Sequence, residues 1–137
     1  MVSQRVQVRV KRVYEPADAA DGVRVLVDRL WPRGLSKEKA QTDYWFRDVA
    51  PSHELRRWFG HDAARWDEFR QRYAAELAVV PESVASLVAL TRGQPVTLLF
   101  SSRELVRNNA HALREILGYP QRVRRQPRQV VRPRGRA

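Results

Sequence analysis

Val6, Val8 and Val10 alternate with Gln7, Arg9 and Lys11, a period of two that turns one face of a strand toward a core, and the pattern ends near Val13. Residues 14–22, YEPADAADG, are turn chemistry. Residues 23–30, VRVLVDRL, have a near-continuous apolar centre and predict a strand covered on both faces, stopped at Pro32-Arg33-Gly34. A polar stretch with a short helix around residues 36–40 leads to Tyr44-Trp45-Phe46, and Ser52 is placed to cap a short helix ending at Gly60. Asp62 caps a longer helix in which Trp66, Phe69, Tyr73, Leu77 and Val80 fall at three- and four-residue spacing. That is one apolar stripe, and its aromatic residues read as core before cofactor box. Pro81 opens the next helix, with Val84, Leu87 and Val88 facing inward and Gly93 ending it. Residues 96–100, VTLLF, predict a buried strand; after Ser101-Ser102 a helix is expected over about residues 103–117, stopped by Gly118 and Pro120.

The order is strand, strand, several helices, strand, helix. Residues 23–30 reach residues 96–100 through helices, the connection that parallel neighbours require. The nine-residue link 14–22 is shorter than a usual crossover, so the direction of the first strand stays open. The pattern predicts an α/β protein, a small layered fold with a short, mainly parallel sheet flanked by helices.

At 137 residues and 43% hydrophobic composition, the chain suits one domain with a sizeable core, expected over residues 1–120. With no Cys it has no disulfide, zinc-thiolate or Cys nucleophile. No apolar run approaches the roughly 20 residues of a membrane span, and the alternating N-terminus is unlike a signal peptide. A cytoplasmic protein is expected. The net charge of +11 divides unevenly, since residues 121–137 hold seven Arg and no acid while residues 1–120 hold 19 basic and 15 acidic residues. The domain therefore carries +4, and the excess belongs to an Arg-rich C-terminal tail expected to be flexible and able to contact polyanions, nucleic acid among them.

Ligands of open parallel sheets bind at the carboxyl ends of the strands, and those ends are chemically dense here. Residues 28–34, DRLWPRG, bring Asp28, Arg29, Trp31 and Arg33 within a few positions; Ser101, Ser102 and Arg103 follow the last strand at what the pattern makes a helix N-terminus, where an anion is favoured. If the first strand is parallel, Arg12 and Tyr14 join them. Such fork-shaped donors suit phosphate or carboxylate, with Trp31 as a stacking face and Asp28 as the one carboxylate nominated as an acid/base or orienting group. The alternative is that Asp28 pairs with Arg29 or Arg33 while Trp31 and Pro32 pack a loop.

The residues that frame this edge also carry a resemblance. Lys11-Arg12-Val13-Tyr14, Asp21-Gly22, the block from Val25 to Gly34, Pro51-Ser52 with Leu55-Arg56, and Leu98-Leu99-Phe100 with Asn108 and Ala110 resemble the YeaO-like bacterial family of domains of unknown function over roughly residues 6–118. The resemblance implies a small α/β protein without an assigned activity. The family pattern has an Asn early in the last helix, followed by Asn or His and then Ala, which falls on Asn108, Asn109 and Ala110; His111 departs from the aliphatic residue usual there. At 100° per residue Val106, Ala110, Leu113 and Leu117 share the buried face. Asn109 lies nearer that face and is the better buried partner, and Asn108 the better candidate for an outer site.

His53, His61 and His111 have no metal-ligand spacing, and neither a G-x-G-x-x-G nor a P-loop is present. No metal and no cofactor are expected. Two functions compete: a domain that binds a small anionic ligand through Arg12, Arg29, Arg33 and Arg103, and a nucleic-acid-associated protein that uses residues 121–137 without base reading.

Overall fold

The computed structural model describes residues 8–119; the start of the first expected strand and the tail 121–137 lie outside them. Among the described residues four strands, β1 (Val8–Arg12), β2 (Val23–Leu26), β3 (Tyr44–Trp45) and β4 (Val96–Phe100), form one sheet in the order β1-β4-β2-β3. All three pairings are parallel. The first strand is therefore parallel too, with Val8 opposite Val96 and Arg12 opposite Phe100. A link of ten residues suffices because the strands are only five and four residues long. The link returns through a single 3-10 turn, Ala19–Asp21, capped by Asp18. It ends at Gly22 with φ of 65°, where a Cβ would stand 2.2 Å from the Pro95 carbonyl oxygen. Only glycine meets both demands.

Among the described residues five α-helices cover the sheet: α1 (Lys37–Ala40), α2 (His53–Phe59), α3 (Trp66–Leu77), α4 (Pro81–Leu90) and α5 (Asn109–Ile116). The period of two in the strands sorts the two faces. On the larger face Val8, Val25, Val96, Leu98 and Phe100 meet Leu55 and Phe59 of α2, Phe69, Tyr73 and Leu77 of α3, Leu87 of α4 and Leu113 of α5. On the smaller face Val13, Leu26 and Leu99 pack against Ala40, Trp31, Leu35 and Trp45. Arg24 also points into this second layer at 4% exposure, beside Asp21 at 2%. Its Nη1 lies 2.5 Å from Asp21 Oδ2, Nη2 donates to the Ala40 carbonyl and Nε to that of Gln41. Lys11 Nζ completes the cluster at 3.0 Å from Asp21. Burial alone would raise the Asp21 pKa, but the hydrogen bonds from Lys11, Asp18 N–H and Arg24 outweigh it and hold the carboxyl below its ordinary value. Buried charges persist when they are paired and hydrogen-bonded in this way.

Ser52 caps α2 through Leu55 N–H and Gly60 ends it in the left-handed conformation. Asp62 caps a 3-10 turn, Ala63–Arg65, that runs into α3. Two boundaries differ from the pattern. The second strand stops at Leu26, four residues early; Val27 N–H still bonds the Leu99 carbonyl, after which Asp28 turns out of the ladder. The last helix begins at Asn109, six residues late, because side chains capture the backbone ahead of it. Ser102 Oγ accepts Glu104 N–H, and the Glu104 carboxylate accepts Val106 and Arg107 N–H. Such local bonds compete with helix formation. Val106, expected on the buried face, is consequently 63% exposed. No single helix among the described residues is long and apolar enough to cross a membrane.

Candidate functional site

The carboxyl ends of β2 and β4 meet the start of α5 at Asp28. Its Oδ2 accepts Ser101 N–H at 2.9 Å and Ser101 Oγ at 2.7 Å, and its Oδ1 accepts Asn109 Nδ2 at 3.1 Å. Asn109 Nδ2 also donates to the Val27 carbonyl at 2.9 Å. One carboxylate thus fastens the end of β2 to the end of β4 and the start of α5. Below it the Tyr73 hydroxyl donates to the Val49 carbonyl; full burial, reinforced by the nearby Asp28 charge, pushes this phenol well above its ordinary pKa.

A small cleft of about 60 Å³, open to solvent, lies over this junction. Asp28, Ser101, Ser102, Asn108 and Asn109 line it from the strand ends and α5; Pro51, Phe59 and Phe69 supply its apolar walls. The rings of Phe59 and Phe69 stack at 4.6 Å. The cationic groups on the cleft are Arg56 of α2 and Arg107 of the loop before α5; His61 lines it beside them. Gly60 and His61 are consecutive left-handed residues, with φ of 51° and 59°. A non-glycine residue there is uncommon, and such strain gathers at functional positions.

Several residues expected at the site are employed elsewhere. Arg12 donates through Nε to the Ser102 carbonyl and through Nη2 to that of Ser101, and lies over the Tyr14 ring at 4.7 Å. Arg29 donates to the carbonyls of Pro51 and Ala50. Both guanidiniums therefore hold the backbone of the cleft's walls and do not line it. Neither Arg29 nor Arg33 pairs with Asp28, whose partners are the serine and asparagine donors above. Arg33 and Arg103 are exposed and do not line the cleft. Tyr14 donates its hydroxyl to the Arg33 carbonyl, tying the end of β1 to the 31–34 turn. Trp31 belongs to the smaller face, where its Nε1 donates to the Leu35 carbonyl and its ring meets Trp45 edge-on. The late start of α5 removes the helix N-terminus expected at Ser101, Ser102 and Arg103. It falls instead at Asn108, whose Oδ1 accepts His111 N–H and whose Nδ2 donates to the Glu104 carbonyl. Asn108 is therefore buried, at 3% exposure, where the helical-wheel reading put it outside.

Arg56, His61 and Arg107 were not legible as site residues. Arg56 carries the only early signal, standing beside Leu55 on a helix whose buried face is Leu55 and Phe59. Glu104 holds the backbone at Arg107, whose N–H together with that of Val106 keeps the Glu104 carboxyl below its ordinary pKa. No group of three His, Cys, Asp or Glu suited to a metal occurs among the described residues.

Residues 7–133 match the family model described as the inactive DUF488-N3 subclade. The chain is 40% identical over 112 residues to the uncharacterized protein YeaO of Escherichia coli K12, covering 82% of this chain and 97% of that protein. It is 44% identical over 114 residues to the uncharacterized proteins Rv3073c of Mycobacterium tuberculosis H37Rv and Mb3100c of Mycobacterium bovis, covering 83% of this chain and 96% of each. No solved structure matches it. With nearly its whole length matched, the chain belongs to the inactive DUF488-N3 subclade, a YeaO-like bacterial family of domains of unknown function.

Proposed function

We propose that the cleft over Asp28 binds a small phosphate- or carboxylate-bearing ligand without turning it over. The observation that carries this reading is the pair Arg56 and Arg107. They reach one cleft from two separate elements, both are exposed, and neither forms an ion pair with a carboxylate among the described residues. Guanidiniums in that position favour a bidentate anion. Binding without catalysis is supported by the family description, which calls the subclade inactive, and by Asp28, whose oxygens already accept three donors. Calorimetry with inorganic phosphate should show binding that the double change Arg56→Ala, Arg107→Ala abolishes. Binding that survives both changes, or no binding at millimolar phosphate, sinks the proposal.

The seven Arg residues of 121–137 favour a second reading in which the chain also contacts nucleic-acid phosphates. Neutralising Z phosphates gives a log–log salt slope of about −0.9Z. Truncation after Tyr119 should reduce the slope by several units; an unchanged slope removes the tail from the account.

A further inference from the structure

An open groove of about 470 Å³ lies between α3, α4 and the end of α5. Leu77, Val84, Ala85, Val88, Ile116 and Leu117 line it, so its surface is largely apolar. The outer side of α4 continues that character. Its exposed positions are Pro81, Glu82, Ala85, Ser86 and Ala89, with one charge among them, whereas those of α3 are Asp67, Glu68, Gln71, Arg72 and Ala75. In a chain of which 30% is charged, an apolar groove beside a nearly uncharged helix face marks a contact surface.

The charges at the two ends of α4 indicate what covers it. Glu82 stands in its first turn and Arg92 just beyond its last; both are exposed, and neither forms an ion pair among the described residues. The same helix from a second copy, laid antiparallel, brings Arg92 of each chain to Glu82 of the other. A parallel arrangement sets like charges together. In the antiparallel register Ala85 falls opposite Ala89, side chains short enough for the two helices to approach closely. Such a contact is self-complementary, as a two-fold axis requires. We infer that the protein forms a two-fold symmetric dimer in which α4 packs antiparallel against α4 of a second copy and covers the apolar groove. None of these residues lines the cleft over Asp28, so the dimer stands apart from the anion-binding reading.

A contact built on one ten-residue helix is at the small end of specific interfaces, so sedimentation equilibrium of the full chain is run up to millimolar concentration. A monomer–dimer equilibrium is expected. Glu82→Arg and Arg92→Glu should each weaken it about tenfold, since each reversal sets like charges against one another at both ends of the contact. An equimolar mixture of the two variants should recover the wild-type affinity, because the mixed dimer restores both opposite-charge pairs. Ala85→Glu, which an exposed helix position tolerates, should abolish the dimer. A wild-type chain that stays monomeric at millimolar concentration overturns the inference. So does a dimer indifferent to both reversals, or a mixture no tighter than either variant alone.

Discussion

Replacing Asp28 by Ala should loosen the junction on which the cleft is built. The change removes three hydrogen bonds to one carboxylate, from Ser101 N–H, Ser101 Oγ and Asn109 Nδ2. Hydrogen bonds to charged groups contribute about 1.5–3 kcal/mol each, so three give about 4.5 kcal/mol even at the low end. The loss should be smaller than that sum. Ser101 Oγ and Asn109 Nδ2 face an open cleft and can be rehydrated, and Asn109 keeps its bond to the Val27 carbonyl. About 2–3 kcal/mol is the expected destabilisation, with Ser101 N–H as the donor least able to find water. An entropy of unfolding of roughly 2.1 cal/mol/K per residue makes 1 kcal/mol worth about 4 °C here, so the melting temperature should fall by about 10 °C. Urea and thermal unfolding of the two proteins measure it. A second arm combines Asp28→Ala with Ser101→Ala, where the joint loss should fall short of the sum of the single losses by about 1 kcal/mol. A melting temperature lowered by less than about 4 °C, or strictly additive losses, would show that the carboxylate does not hold the strand ends together.

Three other predictions follow from single contacts. Tyr73→Phe leaves the buried Val49 carbonyl without its donor and should cost about 1–3 kcal/mol in urea unfolding with little change in m-value. Gly22→Ala drives a methyl group into the Pro95 carbonyl at a positive φ. It should destabilise the fold more than any alanine substitution at an exposed glycine such as Gly34, where no atom lies within 4 Å, as parallel melts would show. His111 is partly buried against Phe100; desolvation, aided by Arg114, lowers its pKa to about 4. The unfolded chain then binds the proton more tightly, so the neutral ring's contribution is present above about pH 6.5 and is lost as pH falls toward 4. With solvent screening the loss should be about 1–2 kcal/mol. Equilibrium unfolding from pH 7 to 4 should show that slope, and it should flatten in His111→Phe.

Periodicity alone reported three of the four strands, the main helices and the α/β class, since the alternation of Val8 and Val10 and the stripe Phe69, Tyr73, Leu77 show directly which faces are buried. The two-residue strand Tyr44–Trp45 and the parallel direction of β1 came only with the fold. Caps were equally legible: Ser52, Gly60 and Pro81 act within a turn of themselves and need no distant partner. The family was readable from the block at residues 25–34. What tertiary structure decided was the use of the charged residues. Arg12 and Arg29 look like ligand anchors in sequence, yet each has free backbone carbonyls within reach once the loops at Ser101 and Ala50 are folded, and a guanidinium takes such acceptors when they are near. Arg56 and Arg107 look like surface charge until α2 and the loop before α5 converge on one cleft. The start of α5 turned on the same distinction, because the Glu104 carboxylate competes for the backbone through contacts that hydrophobic spacing does not record. Spacing along a chain reports which face a residue occupies; which polar atoms a charge meets is set by segments that only folding brings together.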